Sequence, residues 1–240
     1  MTRLVDKNKA GKTDPVEKQN ISKVVWPVPA RSGTTDDYWG WRSKPSNTSV
    51  TEFHYGVDVG GGGSSRDIVA IMDGTIVSVD WLSGRGNTVI LQHDIAGIGK
   101  FYTLYQHLSG SDLPTSNDVN NGKKYKAGDK VANMGNTGTG SDIHLHFELM
   151  KTRHTGTYSL YSINPLGTYP DRDTRNTERP ISPDNPQPFF MKNKSGNYEF
   201  NRSFDWNFAE PVPKKAQPKR FSHHSSYATV SNPVINSGEG

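Results

Sequence analysis

Six short runs of β-forming residues recur between positions 67 and 150, and they constrain the fold more than any other feature. They are DIVAIMDG (67–74), TIVSVDW (75–81), NTVILQH (87–93), KFYTLYQHL (100–108), KVANMG (130–135) and IHLHFELM (143–150). Glycine and asparagine punctuate them, and no stretch between them carries a convincing helical period. Such spacing predicts an all-β antiparallel domain. TIVSVDW alternates apolar and polar residues as a half-buried strand does, whereas VILQ and IVAIM predict strands buried on both faces.

The last run bears on chemistry. His144 and His146 stand two residues apart, so an extended backbone sends both imidazoles to one face. Leu145, Phe147 and Leu149 then fill the other face. Two readings are open at this point: a core strand that carries two histidines, or one wall of a metal site. Glu148 shares the histidine face, either to orient a ligand or in a surface or structural role.

Elsewhere His54 opens HYGVDVG, with Asp58 four residues later. One neutral nitrogen and one anionic oxygen suit zinc. With one imidazole from the HxH pair they make three protein ligands and leave a fourth position to water, the pattern of a catalytic zinc site. The chain contains no cysteine, so thiolate ligands and disulfides are excluded. It also lacks HExxH, the helix-borne arrangement with a glutamate base. His107, in LYQHL, and the remaining histidine of the pair are left for acid–base work, which an unperturbed imidazole pKa of about 6.5 permits.

A hydrophobic fraction of 32% is low for a packed globule of 240 residues, so part of the chain should lie outside the core. Residues 1–22 read as a polar N-terminal arm, 23–168 as the folded domain and 169–240 as a Pro/Asn-rich C-terminal extension. Aromatic residues in the extension (Phe189, Phe190, Tyr198, Phe200, Phe204, Trp206, Phe208) are expected to dock on the domain or on another protein. A net charge of +4 and a pI near 9.1 suit weak attraction to acidic wall polymers and are too small to argue for nucleic-acid binding. No apolar run approaches the ~18 residues of a membrane span. The N-terminus has no apolar stretch of signal-peptide type, so export by an ordinary cleaved signal is not expected if Met1 is the native start.

As an ordered set, YWGWR (38–42), HYGVD (54–58), IVAIMDGTIVSV (68–79), NTVILQHD (87–94), YQHL (105–108), KAGDKVANMGNTGTGSDIHLHFEL (126–149) and INP (163–165) resemble the lysostaphin/LytM-type zinc endopeptidases, which cut peptidoglycan peptides. The resemblance runs from about Trp26 to Pro165. It implies an antiparallel β-sheet domain with loops around a groove, Zn2+ held by His54, Asp58 and His146, and His107 and His144 flanking the water and the scissile carbonyl. The implied substrate is a peptidoglycan peptide, and the implied place of action is the bacterial cell wall. GGGG (60–63) and TGTGSD (137–142) depart locally from the family and are expected to alter groove loops rather than ligands. YWGWR carries Trp where the family often has a smaller aromatic residue.

Polar ends and the missing signal lead to one more expectation, a virion-associated component of a bacteriophage tail whose arm and extension meet other tail proteins. The rival reading is a catalytically inactive LytM-like domain with a structural or regulatory role. It predicts a broken ligand set, whereas here all five positions are filled. His93 is expected to be structural, and His154, His223 and His224 to be surface residues.

Overall fold

The computed structural model describes residues 23–32, 36–44, 46–61, 65–139, 142–150, 162–163, 165–166, 189–202 and 204. The expected arm at 1–22, His154, His223, His224, Trp206 and Phe208 lie outside the described residues. Strands dominate. An antiparallel hairpin of β1 (Gly40–Lys44) and β2 (Asn47–His54) comes first, and a tight turn leads into β3 (Val57–Gly60). Next come β4 (Asp67–Val69), β5 (Gly74–Leu82), β6 (Gly86–Ile95) and β7 (Gly99–Leu108). The short strands β8 (Lys124–Tyr125) and β9 (Lys130–Asn133) precede β10 (His144–Met150) and β11 (Ser162–Ile163), and β12 (Phe190–Lys192) pairs with β13 (Tyr198–Phe200).

The sheet that positions the site runs β11–β10–β7–β6–β5–β8, with every pairing antiparallel. β10 lies between two sets of neighbours. β7 covers one edge, while the other is shared end to end by β3, opposite His144–Phe147, and β11, opposite Leu149–Met150. β10 therefore has ladder partners on both sides, which fixes its side chains firmly.

Alternation along these strands sorts the core. Val57, Val59, Val89, Leu91, Phe101, Tyr105, Leu145, Phe147 and Leu149 join the main cluster of buried apolar residues. On the opposite face Ile90, Leu104 and Met150 form a second, smaller cluster with Tyr102. NTVILQH is thus buried on both faces, as its apolar run foretold. Burying a side chain of this size is worth roughly 1.5–3 kcal/mol, so the two clusters supply most of what holds the sheet together.

Three features depart from the sequence expectation. Within DIVAIMDG only Asp67–Val69 and the final Gly74, which opens β5, are strand. Ala70 and Ile71 leave the ladder yet stay buried, because their carbonyls accept from Gly128 N and Val25 N at 2.9 Å each. The β1–β2 hairpin arises from residues whose mixed polarity hid its period. A single-turn helix, α1 (Ser116–Asn120), is set by a capping box: Thr115 Oγ1 accepts from Asp118 N, and the Asp118 carboxylate accepts from Thr115 N.

Of the two partners considered for the C-terminal aromatics, those described choose the domain itself. Phe189, Phe190 and Phe204 are buried in the main cluster. Phe189 stacks 6.0 Å from Phe101, and Tyr198 stacks 4.4 Å from Trp26. Among the described residues, no helix is long and apolar enough to cross a membrane.

Candidate metal centre and catalytic site

Register brings the expected ligands together. His54 closes β2, Asp58 lies four residues on in β3, and β3 pairs with β10 so that Asp58 stands directly opposite His146. Gly56, between them, sits where β10 comes closest. A Cβ there would strike the Phe147 carbonyl oxygen and approach His146 Nε2 to 2.9 Å, so only glycine allows this turn.

His54 Nε2, Asp58 Oδ1 and His146 Nδ1 form a near-equilateral triangle. Its edges are 2.9 Å between the nitrogens, 3.1 Å from His54 to Asp58 and 3.0 Å from His146 to Asp58. These three residues form the one group of potential metal ligands found among the described residues.

Hydrogen-bond partners decide which nitrogen of each ring carries the proton. His54 Nδ1 donates to the Tyr38 carbonyl at 2.7 Å, which leaves Nε2 with its lone pair. His146 Nε2 donates to Glu148 Oε1 at 3.0 Å, which leaves Nδ1 with its own. Both lone pairs therefore point at each other and at a carboxylate oxygen. For neutral rings that convergence is repulsive, and a cation among the three atoms makes it attractive. Two donors on one tetrahedral zinc, at bonds of about 2.0–2.1 Å, stand about 3.3 Å apart, close to the edges observed. The residues fit the metal.

Proton affinities point the same way. Burial acts to raise the Asp58 pKa, but the neighbouring His54 and His146 hold the carboxyl well below the usual range. Burial acts to lower the His146 pKa, yet Asp58 and Glu148 keep it above the ordinary imidazole value. The pocket favours positive charge among its three donors.

His107 and His144 flank this triangle. Their ring centroids are 4.5 Å apart, and His107 lies 6.2 Å from His146. Tyr105 and Leu108 of β7 both face the main core, so strict alternation fails between them. A register shift in the β6–β7 ladder falls here, and His107 adopts a left-handed φ of 59°. This bulge turns the imidazole toward His144 and His146. Its Nδ1 donates to the Thr137 carbonyl at 2.8 Å, and His144 Nδ1 donates to the Asp142 carbonyl at 2.8 Å. Each ring keeps Nε2 as its proton-accepting atom. Burial, with His146 and His144 close by, pushes the His107 pKa down to about 4, so the ring is neutral at pH 7.

Several supporting residues were missed or left open by the sequence. Glu148 is fully buried, which excludes its surface reading. The Tyr38 carbonyl is a backbone group that no side-chain motif announces. The TGTG segment does more than shape a loop. Thr137 Oγ1 accepts from Asn87 N at 3.0 Å and donates to Leu108 O at 2.8 Å, and Thr139 N donates to Gly84 O at 3.0 Å. These bonds fasten the segment to both sides of the bulge and aim the Thr137 carbonyl at His107. Arg42 reaches the site through Asp58 Oδ2, and its position in YWGWR was the signal that could have drawn attention to it. His93 stands apart, buried in β6 with Nδ1 donating to Asp73 O and Nε2 2.9 Å from Thr103 Oγ1.

The sequence profile of peptidase family M23 matches residues 52–158. The chain is 32% identical over 168 residues to the murein hydrolase activator NlpD of Salmonella typhimurium, covering 67% of this chain and 39% of that protein. It is 34% identical over 112 residues to the lipoprotein NlpD of Yersinia enterocolitica, covering 46% of this chain and 97% of that protein. The chain thus spans well under half the length of the Salmonella relative. Among solved structures, the catalytic domain of the antimicrobial peptidase lysostaphin from Staphylococcus simulans aligns at 27% identity and a TM-score of 0.43, over 55% of this chain and 88% of that one. The chain belongs to peptidase family M23.

Proposed function

We propose that the chain is a zinc-dependent endopeptidase that hydrolyses amide bonds in peptidoglycan peptides, acting at the bacterial cell wall. The observation that carries this reading is the convergence of two imidazole lone pairs and one carboxylate oxygen within 3.1 Å of one another, with two further histidines beside them. His54 Nε2, Asp58 Oδ1 and His146 Nδ1 would hold the ion. Zinc bound there supplies Lewis acidity and lowers the pKa of a water from about 15.7 to about 7.

The chain's own residues do the rest. Tyr38 O and Glu148 Oε1 fix the two ligand rings in the tautomers that present a lone pair. His107 Nε2, on a ring that burial keeps neutral, and His144 Nε2 are the proton acceptors. Either can take the proton from the attacking water, and the imidazolium formed can return it to the leaving amine. The same groups, once protonated, are donors to the developing oxyanion.

A second reading has an observation of its own: both relatives described above are named for NlpD, the Salmonella one as a murein hydrolase activator. In that reading the fold binds wall or partner and cuts nothing. Purified walls of several bridge chemistries, digested with zinc-loaded chain and analysed by mass spectrometry, decide between the two. The endopeptidase releases fragments with new amino and carboxyl ends, and His144→Ala lowers their rate of release by about 10²–10⁴-fold. An activator leaves every wall intact. The bacteriophage-tail expectation rests on the composition of the chain's ends and is a proposal about setting rather than chemistry.

A further inference from the structure

We propose that Arg42 is a positioning residue for the metal centre, dividing the two oxygens of Asp58 so that Oδ2 is held by the guanidinium and Oδ1 alone faces His54 and His146. The inference rests on the zinc reading above.

The geometry divides the carboxylate cleanly. Asp58 Oδ1 lies 3.1 Å from His54 Nε2 and 3.0 Å from His146 Nδ1, while Oδ2 accepts from Arg42 Nη1 at 3.1 Å. Arg42 is itself fixed at two other points. Nη1 donates to Asp37 Oδ2 at 2.7 Å, and Nε donates to Glu52 Oε1 at 3.0 Å. The hairpin supplies all of this by register: Arg42 stands opposite Glu52, and Gly40 stands opposite His54. One element therefore delivers a ligand and also the group that orients the next ligand. Backbone bonds tie the same corner, with Asp58 N donating to Asp37 O at 3.0 Å and Asp36 N donating to Asp58 O at 2.8 Å.

A planar guanidinium is required for this task. Its fork reaches three carboxylates in fixed directions, whereas an ammonium is a point charge on a flexible stem. Charge alone would act in the opposite sense, since a cation one carboxylate away repels a dication. Removing Arg42 strengthens zinc binding if its influence is electrostatic and weakens it if the residue positions Asp58. The sign separates the two.

The test is a competition titration of the metal-stripped full chain against a chromophoric zinc chelator at pH 7. Outer partners of metal ligands typically contribute about 10–100-fold in affinity, and Arg42→Lys and Arg42→Gln should each bind zinc weaker by that factor. A purely structural role lowers the melting temperature and leaves the affinity of the folded molecules unchanged. Affinity within twofold of the parent, or tighter binding by Arg42→Gln, overturns the proposal. If those variants do not fold, Glu52→Ala removes the partner of Nε alone, and its zinc affinity should fall at least threefold, with an unchanged value counting against the role. Failure of the parent chain to bind zinc overturns the zinc reading and this inference together. Normal binding by parent and variants overturns this inference alone.

Discussion

His146 Nε2 donates to Glu148 Oε1 at 3.0 Å, two residues along the same strand, while His146 Nδ1 faces Asp58 from the opposite side of the ring. An HxHxE sequence in an extended strand puts all three side chains on one face, so β10 supplies a proposed ligand and the group that orients its ring. Glu148→Gln keeps the shape and removes the charge that makes His146 Nδ1 a stronger donor. Zinc affinity should fall about tenfold with the far-UV circular dichroism unchanged, as a chelator competition will show.

His107 and His144 lie outside the proposed ligand set, and their substitution should separate binding from turnover. His107→Ala and His144→Ala are each expected to retain one zinc per chain by elemental analysis. Wall-cleaving activity should fall by about 10²–10⁴-fold, the usual scale of acid–base assistance. His146→Ala should lose both.

The bulge that aims His107 depends on a segment with no room for a side chain. Gly138 has a φ of 83°, and a Cβ there would meet Gly86 N at 2.5 Å. Gly138→Ala combines backbone strain with that clash, at a cost on the order of 1–3 kcal/mol. The segment should shift away from the 84–86 turn and release the Thr137 carbonyl from His107. The expected result is at least tenfold lower kcat with zinc content unchanged, and Thr137→Val should show a smaller effect of the same kind.

His93 makes a prediction about stability rather than catalysis. Burial pushes its pKa down to about 4, against about 6.5 in an unfolded chain, so the native state excludes a proton that the unfolded state accepts. Below pH 6.5 that difference favours unfolding, and stability falls with pH until about pH 4, by a total of about 3 kcal/mol. Urea melts of metal-stripped protein at pH 7 and pH 4 measure the fall. His93→Asn, which can still donate to Asp73 O, should reduce the pH dependence by about that amount. An unchanged slope would show that other groups cause it.

Side-chain alternation makes much of this legible in the sequence. His144 and His146 share a face because β10 is extended, and Leu145, Phe147 and Leu149 fill the main core as their period required. What alternation could not disclose was His107. Only a bulge brings that residue beside the others, and a bulge appears in sequence as nothing more than a histidine at the end of a strand. The backbone carbonyls of Tyr38, Thr137 and Asp142 were equally hidden, since every residue carries one and only the folded chain selects which faces a ring. α1 escaped notice because five residues are too few to show a helical period, although its capping box was present in the sequence. Arg42 lies in YWGWR, a motif whose aromatic residues dominate its pattern.

Metal stoichiometry and bond cleavage measured on one preparation test the central claim most directly. Metal-stripped chain is loaded with one equivalent of zinc, and peptidoglycan digestion is followed by the appearance of new amino groups. The account predicts that cleavage appears in proportion to zinc bound, saturates at one ion per chain, and vanishes in His146→Ala. A chain that takes up one zinc at His54, Asp58 and His146 yet releases no amino groups from any wall would contradict it.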